Sequence, residues 1–339
     1  WMDELAKKLF RPLHQIPFDW DGLLAQTLPE FGDSYTSVNG ERICVPYDPS
    51  TQLMFYRRDL FCDPTYKRMY FEAYRRELEV PKSFEDYNRI AGFFTRSLNP
   101  ASPVQYGTTV AIGNVVVSPS EFLPRLFEQG GKLFNAKGRI TVDTPEALAA
   151  LKNYRETYAC SDRTVHDIWK NVLEGFADGS AAMTVVFINY ASHILNSQMS
   201  RIAGKLGFAP VPGGKPLLGG GVIGIAQSCT CPAAACKFLE WLYADLVAPV
   251  FTMLGGLSPC RSAYSNRDIS EQYPWLSTAR KSFPTAQRRS NSTYYQNFSE
   301  LQLETILAAH VQQAVLGVCS PEEALKQAQE DCNRYFQPW

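Results

Sequence analysis

Gly219-Gly220-Gly221-Val222-Ile223-Gly224-Ile225-Ala226 runs three glycines into a short apolar strand. Glycines ahead of a strand allow a tight bend or a close approach of another group to the backbone. Cys229-Thr230-Cys231-Pro232 follows, then an amphipathic segment from Ala233 to Leu242. Pro232 suits the first turn of a helix, and Phe238, Trp241 and Leu242 fall on one helical face. The stretch therefore reads as a strand–turn–helix unit of an α/β protein. It is not a dinucleotide fingerprint, which needs its glycines after a strand and opening a helix; here the order is loop, strand, loop.

The rest of the chain limits what such a unit can serve. Its 339 residues suffice for two lobes, each with its own core. A formal net charge of −1 gives no electrostatic argument for nucleic acid or an anionic membrane. No apolar run approaches the roughly 18 residues that span a bilayer. Aromatic residues make up 13% of the chain. That permits a carbohydrate-type site, where flat rings meet sugar C–H groups, although most rings in a two-core protein fill cores. The nine cysteines are odd in number and scattered, which is not a disulfide framework and favours a reducing compartment. Cys229, Cys231 and Cys236 lack zinc spacing and have no histidine close by, so no metal is expected. His14, His166, His193 and His310 are dispersed, and no catalytic constellation assembles. No cofactor is implied.

Taken in order, the chain shows a short helix from Asp3 to Phe10, an Asn39-Gly40 turn and a strand-like Ile43-Cys44-Val45-Pro46. A loop, Tyr47-Asp48-Pro49-Ser50-Thr51, precedes a second strand-like run, Gln52 to Tyr56, and a turn opening at Arg57. Ser83 is the natural N-cap of a helix starting at Phe84, and Thr144 or Asp143 caps one in which Pro145 takes the first position. Ala177-Asp178-Gly179-Ser180-Ala181-Ala182-Met183 reads as helix end, turn and strand. Gly255 to Ala263 and Ser320-Pro321-Glu322-Glu323-Ala324-Leu325 complete the series.

Together these stretches resemble the family 1 extracellular solute-binding proteins of ABC importers, which include the maltose-binding and multiple-sugar-binding types. Asn39 to Asp48 is similar to that family's G-x-x-Y-x-x-P-Y-D loop, Met54 to Phe61 to its Y-Y-R-K-D-L-F strand, and Ala177 to Met183 to its F-x-x-G-K-A-A-M motif. Gly207 to Gly214 resembles P-x-P-G-G, and Gly255 to Ala263 resembles G-x-x-P-x-R-x-S. The resemblance covers nearly the whole chain. It lacks the family's opening strand and two βα units, so roughly 60 residues of the first lobe are expected to precede Trp1.

The resemblance implies an α/β, two-lobe periplasmic-binding-protein architecture of the type II, Venus-flytrap kind, with a hinge of three crossings. These would lie at Tyr106–Val110, at the glycine strand and at Gly255–Ala263. Lobe one would comprise 1–107 and 222–257, and lobe two 108–221 and 258–339. It further implies that the protein is not an enzyme. It would bind a small solute, a sugar or oligosaccharide, in an inter-lobe cleft by hinge closure and, as a single chain, deliver it to the importer's membrane subunits. Its place would be extracytoplasmic, in the periplasm or as a surface lipoprotein.

Ligand-binding candidates follow from the crossings. Tyr47 and Asp48 offer a ring and a carboxylate on a loop, although Asp48 before Pro49 is equally a turn residue. Phe187, Asn189 and Tyr190 follow the Ala-Ala-Met strand, where they either face ligand or pack the second lobe. Gly220, Gly221 and Val222 admit ligand to the backbone, with valine standing where the family often has tryptophan. Arg261 is either a ligand donor or a hinge ion pair. Two other readings compete. One is a cytoplasmic ligand-sensing domain of a transcriptional regulator with the same fold, suggested by the cysteines; this portion would not itself touch nucleic acid. The other is a two-lobed enzyme such as a transferase, against which the missing catalytic constellation counts.

Overall fold

The structure is a computed structural model that describes residues 2–38, 40–113, 115–165, 169–287, 294–295 and 298–338. Its chain forms two compact units, the first from Trp1–Thr51, Phe187–Asn189 and Leu218–Arg288, the second from Gln52–Val186, Tyr190–Leu217 and Arg289–Trp339. Seven strands are present among the described residues: β1 (Ser37–Val38), β2 (Glu41–Arg42), β3 (Val45–Arg57), β4 (Tyr106–Thr108), β5 (Ala181–Phe187), β6 (Leu206–Pro210) and β7 (Leu218–Ile223).

In the first unit, β1 and β2 form a small antiparallel pair at the Asn39-Gly40 turn, where Gly40 takes a left-handed φ of 77° and Asn39 lies outside the described residues. The leading half of β3 pairs antiparallel with β7, from Val45 opposite Ile223 to Thr51 opposite Leu218. The Pro232–Tyr243 helix packs with Leu13, Ile16, Trp20 and Leu23 through Cys236, Leu239, Leu242 and Tyr243. The Tyr243 hydroxyl donates to the Pro46 carbonyl, tying that helix to β3. Of the expected face of Phe238, Trp241 and Leu242, only Leu242 packs into this core. The Phe238 and Trp241 rings lie 5.8 Å apart, tilted by 34°, and stay about half exposed, at 48% and 57%.

In the second unit, the trailing half of β3 pairs antiparallel with β6, from Leu53 opposite Pro210 to Arg57 opposite Leu206. Parallel β4 and β5 extend the sheet in the order β4-β5-β3-β6. Met54, Phe61, Phe84, Tyr87, Phe94 and Met183 form its core. Gln52 secures the head of this half-strand, its amide donating to the Ser120 carbonyl at 2.9 Å and accepting from the Leu217 backbone at 3.1 Å. Arg125 lies buried over the Phe84 ring at 4.1 Å and pairs with Glu121 at 2.8 Å. The predicted caps form: Ser83 accepts from the Asp86 N–H at 3.1 Å, Thr144 from Ala147 at 3.2 Å and Ser320 from Glu323 at 3.1 Å.

Several expectations change. Residues 47–51 are not a loop but the middle of one 13-residue strand. Arg58–Cys62 is a short helix rather than a turn. The glycines 219–221 lie inside β7 instead of ahead of it. The division of the chain also differs, because residues 52–107 belong to the second unit and 258–287 to the first. The chain changes unit within β3, on either side of Phe187–Asn189, at the start of β7 and after Arg288, whereas 106–110 and 255–263 lie inside one unit each. The physical reason is that β3 is continuous: the apolar run Leu53-Met54-Phe55 is fully buried, and Met54 joins the second core, although the run follows the first unit without a break.

Gly220 is the residue on which the β3–β7 ladder is most exacting. Its φ is +94°, and a Cβ placed there would lie 2.0 Å from the Asp48 carbonyl oxygen. At Gly221 an added Cβ would meet only the Tyr47 ring, at an ordinary 3.8 Å. Gly220→Ala is therefore expected to destabilise the protein by about 1–3 kcal/mol, and Gly221→Ala by no more than about 0.5 kcal/mol, as read from chemical denaturation curves.

Candidate functional site

The ladder between β3 and β7 carries most of the candidate residues. Its register shifts between Pro46 and Asp48, leaving Tyr47 as the extra residue of a β-bulge. A bulge re-aims a side chain, and prolines at 46 and 49 suit such an interruption because neither has an N–H to give the ladder. Tyr47 is consequently exposed, at 37%, with its ring 5.7 Å from that of Phe251 at an interplanar angle of 39°. Val222 stands opposite Pro46, Gly221 opposite Asp48 and Gly220 opposite Pro49.

Asp48 is half-buried, with Oδ1 accepting the Leu257 backbone N–H at 2.9 Å. Among the described residues Oδ2 has no partner. Burial pushes the carboxyl pKa up, and the Leu257 N–H opposes this only in part. One side of the carboxylate is thus fixed by the backbone and the other is left to accept.

Two side chains that the sequence reading passed over complete this face. The Ser50 hydroxyl donates to Asn189 Oδ1 at 3.2 Å. Tyr35 places its hydroxyl 2.5 Å from the Gly219 carbonyl and 3.2 Å from that of Ser50, donating to the nearer. It thereby links the two strands from outside the ladder, and burial raises its pKa so that it keeps the proton. Ser50 lies in a stretch whose polar, proline-bearing composition reads as a loop, so the sequence gives no sign of its contact with Asn189. Tyr35 carried no signal either, because its role depends on a partner 184 residues away.

Phe187 is buried, at 6% exposure, and fills the space over Gly219, where an added Cβ would lie 2.6 Å from its ring. It packs the first unit rather than the second. Asn189 is exposed and belongs to the same unit. Tyr190 belongs to the second unit, half-buried, with its ring 6.2 Å from Trp169. Arg261 opens a short helix of the first unit. Its Nε donates to the Thr27 carbonyl at 2.9 Å and its backbone N–H to the Gln26 carbonyl at 2.9 Å. Among the described residues it makes these backbone contacts and no ion pair. The structure thus brings Tyr47, Asp48, Gly220, Gly221, Val222, Phe187 and Asn189 into one connected set and leaves Tyr190 and Arg261 outside it.

The set offers a carboxylate oxygen, a hydroxyl, an amide and an aromatic face, and among the described residues it holds no nucleophile–base pair. Among the described residues no group of three or more His, Cys, Asp or Glu side chains is arranged to hold a metal ion. His166 lies outside those residues.

A profile of bacterial extracellular solute-binding proteins matches residues 1–278. The chain belongs to that family. It is 27% identical over 176 residues to an Escherichia coli K12 protein named as an ABC transporter periplasmic-binding protein, YcjN. That alignment takes in 52% of this chain and 34% of the relative, so the chain matches about a third of the relative's length. Among solved structures, maltose-bound T. maritima MalE3 superposes with a TM-score of 0.80 at 22% identity, covering 98% of this chain and 82% of that one. A solute-binding protein of Agrobacterium radiobacter K84 in complex with ribitol gives 0.81 at 20% identity, covering 98% and 81%. The fold is therefore the two-lobe α/β architecture of periplasmic binding proteins. Family members are solute-binding proteins rather than enzymes. The reading as a cytoplasmic sensor of a regulator finds no support in these likenesses.

The raised pKa of Asp48 has a signed consequence. A carboxyl that holds its proton more tightly in the folded state stabilises fully below its unfolded pKa, near 3.9, and loses that contribution as pH rises through the folded value. Asp48→Asn keeps an acceptor for Leu257 and removes the charge. The melting temperature of Asp48→Asn should therefore gain on that of the wild type between pH 4 and pH 7. A constant difference across that range would show that the desolvation is not felt.

Proposed function

We propose that this chain captures a small polyhydroxylated solute, a sugar or polyol, outside the cytoplasm and hands it to the membrane subunits of an ABC importer. The observation that carries the reading is the Asp48 carboxylate. One oxygen is pinned by the Leu257 N–H and the other has no partner among the described residues, beside the exposed Tyr47 ring on a strand interrupted by a bulge. A fixed carboxylate accepts two hydroxyl donors with little reorganisation, and charge-assisted hydrogen bonds are the stronger class. The apolar face of Tyr47 suits the C–H face of a sugar ring. Asn189 and Ser50 supply a neutral pair able to exchange their mutual hydrogen bond for ligand hydroxyls. The family match and the maltose and ribitol held by two structural relatives support this class of ligand.

In the proposed cycle the two lobes close over the bound solute, and the importer reads the closed state. Tyr190 would act from the second lobe. The chain is proposed to work as a single copy, without a cofactor and without contact to nucleic acid.

A melting-temperature screen against neutral mono- and disaccharides, pentitols and hexitols tests the reading, because a ligand that binds only the folded state raises stability by mass action. At least one such compound should raise the melting temperature. For that compound, Asp48→Ala should weaken binding by about tenfold to a hundredfold, the equivalent of roughly 1–3 kcal/mol for hydroxyls left unpaired. Calorimetric titration reads the affinity, and undiminished affinity in Asp48→Ala removes the carboxylate from the site.

A further inference from the structure

The exposed Tyr47 ring has an aromatic neighbour held in a fixed place. Phe251, half-buried in the Val247–Met253 helix, sets its ring 5.7 Å from that of Tyr47, with the two planes tilted by 39°. Gly256 folds back against the Phe251 ring. A Cβ added at Gly256 would lie 2.4–2.6 Å from three of the ring's atoms, so the ring fills the volume that a side chain there would need. The turn that returns Gly256 is closed by hydrogen bonds of its own. The Gly255 N–H donates to the Thr252 carbonyl at 3.0 Å, the Gly256 N–H to the Phe251 carbonyl at 3.1 Å and the Ser258 N–H to the Thr252 hydroxyl at 3.3 Å.

The same turn delivers the Leu257 N–H to Asp48 Oδ1 at 2.9 Å. Residues 251–257 therefore position both a ring and the donor that orients the carboxylate, and both meet β3 at its bulge. All of these residues belong to the first unit. The result is an apolar surface wider than one ring, fixed beside an acceptor for hydroxyl groups.

Sugars and open-chain polyols differ in what they can do with such a surface. A pyranose is rigid, with C–H groups on its face and hydroxyls around its edge, so it covers flat rings and reaches a carboxylate at once. An open-chain polyol of the same carbon number has to freeze its torsions before it presents any flat face, and that ordering weakens binding. On the reading of Tyr47 and Asp48 as solute contacts, we propose that Phe251 is a further specificity-determining residue of the same site. The Tyr47–Phe251 ring pair selects cyclic sugars over open-chain polyols.

Matched pairs of a sugar and its reduction product test this: glucose with sorbitol, mannose with mannitol, galactose with galactitol, xylose with xylitol and maltose with maltitol. Each pair shares a carbon skeleton and differs in whether one ring is closed. Calorimetric titration reads both affinities on the wild type, Phe251→Leu, Phe251→Tyr, Tyr47→Leu and Asp48→Ala, with a melting curve for each variant. For at least one pair the wild type should bind the sugar about tenfold more tightly than the polyol. Phe251→Leu and Tyr47→Leu should erase most of that ratio by weakening the sugar, with a smaller loss for the polyol, whereas Phe251→Tyr keeps the ring and the ratio. Tyr47 is exposed, so Tyr47→Leu tests the ring pair even where Phe251→Leu fails to fold. Asp48→Ala should weaken sugar and polyol alike. A wild type that binds the polyol as tightly as the sugar, or a ratio that survives in both leucine variants, overturns the ring selection; the solute site itself then stands if Asp48→Ala still weakens what binds. Binding of none of these compounds, or undiminished affinity in Asp48→Ala, overturns the solute reading and the ring selection with it.

Discussion

The first unit depends on how closely the backbone of β7 approaches that of β3. At Gly220 the two chains come within a distance that no Cβ could occupy, because the Asp48 carbonyl already fills the place. That approach keeps the ladder paired on both sides of the bulge. The bulge in turn exposes Tyr47 and turns Asp48 toward the Leu257 N–H. Tyr35 then clamps the strands through the Gly219 carbonyl, and Phe187 closes over the bare Gly219 backbone. Each of these placements requires the absence of a side chain at a neighbouring position. The triple glycine is thus less a flexible element than a set of vacated volumes.

Much of the architecture was legible from local signals. The caps at Ser83, Thr144 and Ser320 act within four residues of sequence, so the serine or threonine and the helix start it serves are read together. The glycine run announced a close backbone approach. What stayed hidden was non-local. The polar, proline-bearing stretch 47–51 has the composition of a loop, yet it is strand because β7 supplies its hydrogen bonds from about 170 residues away. The same continuity concealed the division between units, since a strand serving two cores shows no break in composition where it passes from one to the other.

The candidate site was legible in part for the same reason. Asp48, Tyr47 and Gly220 could be named from residue type and family resemblance. Their environment could not, because the bulge that sets the roles of Tyr47 and Asp48 exists only in the pairing. Ser50 and Asn189 illustrate the limit: a hydroxyl and an amide 139 residues apart become a pair only once the fold returns the chain to the ladder. The Pro232–Tyr243 helix shows a similar limit on a smaller scale, since Phe238, Trp241 and Leu242 satisfy the helical period while the core takes only Leu242 of the three, with Leu239 and Tyr243.

No disulfide joins any of the nine cysteines in the structure, and five of them, Cys44, Cys160, Cys236, Cys260 and Cys332, are buried. Burial raises the Cys260 thiol to about 11 and that of Cys332 to about 12. Since only the thiolate attacks a disulfide, a thiol with a pKa near 11 is reactive in about one molecule in ten thousand at pH 7. Cys260 and Cys332 thus behave as small apolar side chains rather than as nucleophiles. The number of cysteines in this chain therefore carries little information about the oxidising power of its surroundings, and the exposed Cys62 and Cys231 are the thiols those surroundings would sense.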